Sequence, residues 1–327
     1  MAARAELINL TANIEAEKIP GQIIYLFPGQ GVEKAGMGKT LYENSEIARG
    51  ILGQLKPELL DIMINGQCVD HPINALNDTA NAQPAITAVS LATYFAFLEA
   101  NPSFKERRPL AFLPHSTGQM SAMGAAGVVD IKTALHIAAE RGKLMKEAGE
   151  RRENKGGMLG LLGATLEKAE LLCANTSEAL GEEGIWVAND NTADQIILSG
   201  REKHITCAMA QAEEAGIKKA VRLRVPIAGH CPLMKEAQDM FAQHLAHIKF
   251  ERPTSPIILN TRAAATSDPD EIRADLINGL TRGVRFREAL QEAQRSGVKS
   301  FVEIGEGPLS GFAQKVIQDS MQFQITI

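Results

Sequence analysis

Five consecutive apolar residues, Ile23–Phe27, stop at Pro28, and a Gly29-Gln30-Gly31 loop follows. A run this short, closed by proline and glycine, predicts a strand buried on both faces and a loop whose backbone amides can approach a ligand. From Leu41 to Met63 the apolar spacing is helical. After the punctuation of Gln83-Pro84, residues Ala85–Ala100 are apolar on most faces, which predicts a buried helix. The stretch LAFLPHSTGQMSAMGAAGVVD, Leu110–Asp130, passes from a short strand pattern through a tight polar turn into a small-residue helix. In the next helical pattern, Ile131–Gly149, Leu135, Ala138, Ala139 and Leu144 fall roughly on one stripe and Arg141 on a neighbouring face.

A charged, glycine-terminated hinge, GERRENKGG, ends that helix. Beyond it the pattern reads strand, helix near Leu166–Leu180, two strands (IWVANDN and QIILSG), helix near Lys203–Gly216, and the strand KKAVRLRV. Four strands and two helices in this order are the split βαβ arrangement of a ferredoxin-like unit. The chain then returns through PIAGHCPLM to helices and short apolar strands, SPIILN and KSFVEIG among them, which implies a largely parallel sheet covered on both faces. The expected fold class is therefore α/β: a main domain formed by 23–153 and 227–327, an inserted small subdomain at 154–226, and a leader at 1–22.

Composition narrows the function. The 327 residues are 45% hydrophobic and 22% charged with a net charge of −5, which argues against a nucleic-acid binder, because such a protein needs a positive surface. No apolar run approaches the ~20 residues of a membrane span, and the leader, with three glutamates, has no signal-peptide core. Four scattered cysteines, Cys68, Cys173, Cys207 and Cys231, show neither metal-ligand spacing nor a disulfide framework, so a reducing cytoplasm is expected.

Chemistry points first to Ser116, at a strand-to-helix turn that looks like a nucleophile elbow, although Pro114 stands where the G-x-S-x-G motif has its first glycine. The same turn, with Gln119 three residues on, also reads as a capping box. His230 lies at the junction of insert and main domain, where a loop histidine can face a cleft as a base or serve an ordinary structural role. Neighbouring Cys231, pointing the other way on an extended segment, is expected to be packed. His244 and His247, three apart on a helix, lack a third ligand, so no metal site is expected.

Seven motifs occur in order: FPGQG, HSTGQMSA, ERGKLMKEA, GGMLGLLG, NDNTADQIILSG, AGHCPLMKEA and VEIGEGPLSGF. Together they closely resemble the malonyl-CoA:acyl carrier protein transacylases, from Ile23 to Phe312. The resemblance implies an α/β-hydrolase-like main domain with a ferredoxin-like subdomain and a site between them. It implies that Ser116 takes an acyl group from a CoA thioester and passes it to the phosphopantetheine thiol of an acyl carrier protein, with no bound cofactor. His230 would be base and then acid, the backbone amides of Gln30 and Thr117 would hold the oxyanion, and Arg141 would grip the malonyl carboxylate. A bidentate guanidinium suits that task.

Departures from the family pattern cluster at the site. Pro114 replaces a glycine, Gln119 a glutamate and Glu33 a glutamine, while Gly279 stands for a glutamine that helps orient the histidine and Gly283 for a proline. Proline at 114 sets φ and holds Leu113 extended, which suits a strand end, and a backbone carbonyl at Gly279 can still orient the histidine. Two other readings stay open: a hydrolase that clears acyl chains from carriers, and a degenerate homologue that only binds a carrier. For docking an acidic carrier, the candidates are Lys218–Arg224, Arg282–Arg287 and Arg151–Arg152.

Overall fold

In the computed structural model, residues 19, 21–66, 72–317 and 319–326 are described. Most of the leader, and Cys68, lie outside them. Among the described residues, ten strands form two sheets: β1 Ile23–Phe27, β2 Ala111–Pro114, β3 Gly156–Leu162, β4 Ile185–Thr192, β5 Gln195–Arg201, β6 Lys219–Arg222, β7 Ile257–Ile258, β8 Ala265–Thr266, β9 Ser300–Ile304 and β10 Met321–Ile325. The larger sheet has the order β10-β9-β1-β2-β7-β8. It is parallel except for β8, which turns back on β7. Such a sheet needs cover on both faces, and β1 shows it: Ile23, Tyr25 and Phe27 enter one core, Ile24 and Leu26 the other.

The smaller sheet is antiparallel, in the order β4-β5-β3-β6. Its helices, Leu166–Leu180 and Glu202–Gln211, cover one face through Leu172, Ile205 and Ala208. The connection order and the spatial order are those of a ferredoxin-like unit. Its other face carries Met158 and Ile197 toward the main domain's cavity. Strand β4 is also tied to the main domain by a bridge between Asn189 and Val284.

Three local features differ from the sequence pattern. The helical stretch Leu41–Met63 is three helices, Lys39–Asn44, Glu46–Leu52 and Pro57–Asn65, because Ser45 caps one and Pro57 starts another. Conversely, Gln83-Pro84 does not interrupt anything: one helix, Thr79–Ala100, runs through Pro84 from an Asp78 cap. Burial on nearly every side outweighs the single hydrogen bond that proline removes. Finally, β10 adds an edge strand paired with β9, half-buried and therefore without a strong apolar signal.

Close backbone approach is what seats the helix after β2. A Cβ on Gly118 would lie 2.1 Å from the Phe27 carbonyl oxygen. Gly118→Ala is expected to cost about 1–3 kcal/mol or more, seen as a lower urea midpoint, since backbone on both sides must shift. By contrast Gly311→Ala, at an exposed position of the helix Leu309–Val316 with nothing within 4 Å of the added carbon, should gain about 0.5–1 kcal/mol.

Candidate active site

Strand β2 ends at Pro114, which pairs with Phe27 of β1. Alternate residues of a strand face opposite neighbours, and the pairing of β2 with β7 is confined to Phe112 and Ile257, so the missing proline N–H breaks no ladder bond. The ladder resumes at once, His115 N–H donating to the Phe27 carbonyl at 2.9 Å. Ser116 follows with φ 49°, and the helix Gly118–Ala125 begins. Thr117, not Ser116, occupies the helix N-cap, and no side chain caps it. The turn is therefore an elbow and not a capping box.

Ser116 is held from both sides. Its N–H donates to Asn260 Oδ1 at 2.9 Å, and its Oγ lies 2.7 Å from His230 Nε2. His230 is 6% exposed and has φ 61°. Its Nδ1–H donates to the Gly279 carbonyl at 2.6 Å, so the Nε2 lone pair faces the serine hydroxyl and accepts its proton. Gly279 thus supplies a carbonyl where its side chain has nothing to offer. Burial, reinforced by the positive charge of Arg141, pushes the His230 pKa down to about 3, which keeps the imidazole neutral and able to act as a base.

The sequence pattern put Arg141 on a face beside the apolar stripe, but it is 3% exposed, because that side of its helix is covered as well. One Nη1–H donates to Gln83 Oε1 at 2.8 Å, and Nε has no hydrogen-bond partner. Burial lowers its pKa to about 10, so the guanidinium stays charged at neutral pH. Arg141, Ser116, His230, Gln30, Asn191 and Arg224 all line one cavity of about 450 Å³. The β1 loop reaches it by crossing the elbow: a Cβ on Gly29 would lie 2.6 Å from the His115 carbonyl oxygen. In that loop Glu33 accepts from the Gly31 N–H at 2.7 Å, and no described acceptor takes the N–H of Gln30 or Thr117.

Cys231 is packed and its own backbone is extended, at φ −144° and ψ 167°, although His230 before it is left-handed. Its Sγ donates to the Ala228 carbonyl at 3.2 Å, and burial pushes the thiol up to about 11. The His244 ring stands 4.9 Å from that of His136, and no three side chains among the described residues are grouped to hold a metal. The basic clusters are half paired within the chain: Arg222 pairs with Glu202, Arg285 with Glu288, Arg287 with Asp190 and Arg151 with Glu236, while Lys218, Lys219, Arg224 and Arg282 make no ion pair among the described residues. The Arg152 side chain lies outside the description. No helix among the described residues is long and apolar enough to cross a membrane.

Several functional contacts carry no sequence signal. His115 reaches Asn191 of the insert at 2.8 Å, and burial lowers its pKa. Asn260, at the end of β7's strand pattern, and Asp275, inside the helix Pro269–Asn278, join the elbow only through the tertiary fold. Gln83 became a cavity residue because the helix continues through Pro84.

Residues 24–322 match the model of the acyl transferase domain family. A malonyl CoA-acyl carrier protein transacylase of Bacillus subtilis is 33% identical over 300 residues, 90% of each chain. Among solved structures, an acyl-carrier-protein S-malonyltransferase from Bartonella henselae superposes with a TM-score of 0.85 at 31% identity, covering 93% of this chain and 95% of that one. A malonyl-transacylase in complex with a type II PKS acyl-carrier protein gives 0.84 at 27% identity, covering 94% and 96%.

The depressed pKa of His230 has a consequence for stability. Unfolded, the ring titrates near its ordinary value of 6.5; folded, near 3. The unfolded chain therefore binds the extra proton between these values, and the stability held by the neutral ring is complete above about 6.5 and lost as pH falls toward 3. Acidification from pH 7 to 4.5 should lower the urea midpoint of the wild type more than that of His230→Gln. An equal fall in both would show that the buried ring is not the source.

Proposed function

The chain belongs to the acyl transferase family, among its malonyl CoA-acyl carrier protein transacylases, and from that membership we propose that it moves malonyl groups from CoA to an acyl carrier protein through an acyl-serine. The observation that carries the substrate assignment is Arg141: a buried guanidinium that meets only a neutral glutamine, in the same cavity as Ser116 and His230. A buried cation without a counter-ion is costly, and a substrate carboxylate would supply one. A hydrolase for uncharged chains would leave that cost standing. The assembled Ser116–His230 hydrogen bond disfavours a merely binding homologue.

In the first half-reaction Ser116 Oγ attacks the thioester carbonyl while His230 Nε2 takes its proton. The backbone amides of Gln30 and Thr117, free of described protein acceptors, are our candidates for holding the oxyanion that forms. The C–S bond then breaks, and His230 returns the proton to the departing CoA thiolate. In the second half the phosphopantetheine thiol gives its proton to His230 and attacks the ester, and Ser116 leaves as the hydroxyl. Gly279 keeps one His230 tautomer in place throughout. We place the cavity walls on the main domain, 23–153 and 227–327, and on the insert, 154–226, which contributes Met158, Asn191 and Arg224.

Incubation with malonyl-CoA, followed by intact-protein mass measurement, should show one malonyl adduct in the wild type and none in Ser116→Ala. His230→Ala should acylate on the order of 10²–10⁴-fold more slowly, the range for losing a general base. An adduct on Ser116→Ala would remove the serine mechanism.

Arg141 separates the substrate assignment from the mechanism. Loss of one partner of a buried charge pair costs about 2–5 kcal/mol. Arg141→Ala is therefore expected to lower kcat/KM for malonyl-CoA by on the order of 10²-fold or more, while acetyl-CoA is used as well as before or better. Equal losses with both thioesters would make Arg141 structural.

A further inference from the structure

The helix Pro269–Asn278 is linked to both members of the catalytic pair, to His230 through its C-cap and to Ser116 through intermediaries. Its C-cap residue, Gly279, accepts the His230 Nδ1–H. One turn earlier, Asp275 is 2% exposed and accepts four hydrogen bonds, all from neutral donors. Asn260 N–H reaches Oδ2 at 2.8 Å, Thr261 N–H reaches Oδ1 at 2.9 Å, Thr261 Oγ1 donates to Oδ1 at 2.5 Å, and Gln119 Nε2 donates to Oδ2 at 3.0 Å. Asn260 in turn takes the Ser116 N–H. Gln119 is tied to the nucleophile from the other side, its own N–H donating to the Ser116 carbonyl at 3.0 Å. The carboxylate therefore reaches the strained serine by two independent routes.

We infer that Asp275 and Gln119 form a matched acceptor–donor pair that positions Ser116, and that Asp275 dictates an amide at position 119. The pair is buried, Gln119 being 3% exposed. A glutamate at 119 would set two carboxylates against one another where only an amide N–H now fits, and the like charges would separate or share a proton. Either response loosens the helix that starts two residues after the serine. This accounts for Gln119 standing where the family pattern has glutamate: the acidic side chain is supplied here by Asp275 instead. Asp275 is a positioning residue, since it touches neither the serine hydroxyl nor the histidine ring.

The inference rests on Ser116 being the nucleophile, and the test is arranged to separate the two. Gln119→Glu, Gln119→Met and the exchange Gln119→Glu with Asp275→Asn would be made in the full chain and checked for folding by circular dichroism. The first readout is the rate at which a fluorophosphonate labels Ser116, which needs an activated serine but no carboxylate site. The second is kcat and KM for malonyl-CoA, both across pH 6 to 9. Gln119→Glu should label on the order of 10²-fold more slowly at pH 8, the scale of a small misplacement, with KM little changed. It should recover as pH falls and the facing carboxyls take up a proton. Gln119→Met should be slowed at every pH, and the exchange should restore only part of the rate, because the amide nitrogen that would then donate to the glutamate can no longer accept the Asn260 N–H. Wild-type labelling by Gln119→Glu, or a loss relieved neither by acid nor by the exchange, overturns the pairing. If Gln119→Glu does not fold, an exchange variant that folds supports the pairing, and one that also fails to fold overturns it. A wild type that labels yet takes up no malonyl group defeats the functional reading alone.

Discussion

A serine with φ 49° is in a region that side chains avoid, at a cost of about 1–3 kcal/mol, and it stays there only because its surroundings leave no alternative. Three contacts do this. The chain before it is zipped to β1 through His115 and Phe27, the helix after it sits on the Phe27 carbonyl through Gly118, and its own N–H is taken by Asn260. Among the described residues only Ser116, His230 and Ala263 are non-glycines with positive φ. Two of these three form the 2.7 Å hydrogen bond on which the proposed chemistry rests. The parallel sheet is thus the reference frame for the strain, and the segments around β7 and Gly279 close it.

Much of this was readable in the sequence because local patterns encode it. Ile23–Phe27 is a strand wherever it is placed, the turn at Pro114–Gly118 can bend only sharply, and the strand–helix order of the insert sets its topology. Asp275 was not readable: an aspartate in a short helix looks solvated, and only the tertiary fold buries it beneath the elbow. Gln83 was misleading in the opposite sense. A Gln-Pro step signals a break locally, yet helix packing overrode it and turned a supposed loop residue into the partner of Arg141. Arg141's burial was likewise hidden, since one helix shows its stripe but not how many neighbours surround it.

In the reaction proposed above, the cavity couples recognition to reactivity. The charge of Arg141 is one reason His230 stays unprotonated, after burial itself. An anion settling on the guanidinium cancels that repulsion, so the imidazole accepts the serine proton more readily once a carboxylate is bound. An uncharged acyl group brings no such relief. Selectivity can therefore arise in the proton-transfer step as well as in binding.

The Ser116–His230 hydrogen bond closes across 114 positions of sequence, and the carbonyl that fixes the imidazole lies a further 49 along. Between them comes the whole small sheet, itself stitched back to the main domain through Asn189–Val284 and Asp190–Arg287. Contacts this distant are among the last to pay their loop-closure entropy. During synthesis the serine leaves the ribosome well before its base, and both wait for the segment around Gly279. The nucleophile–base pair that we propose therefore cannot be complete before the segment around Gly279 has been made.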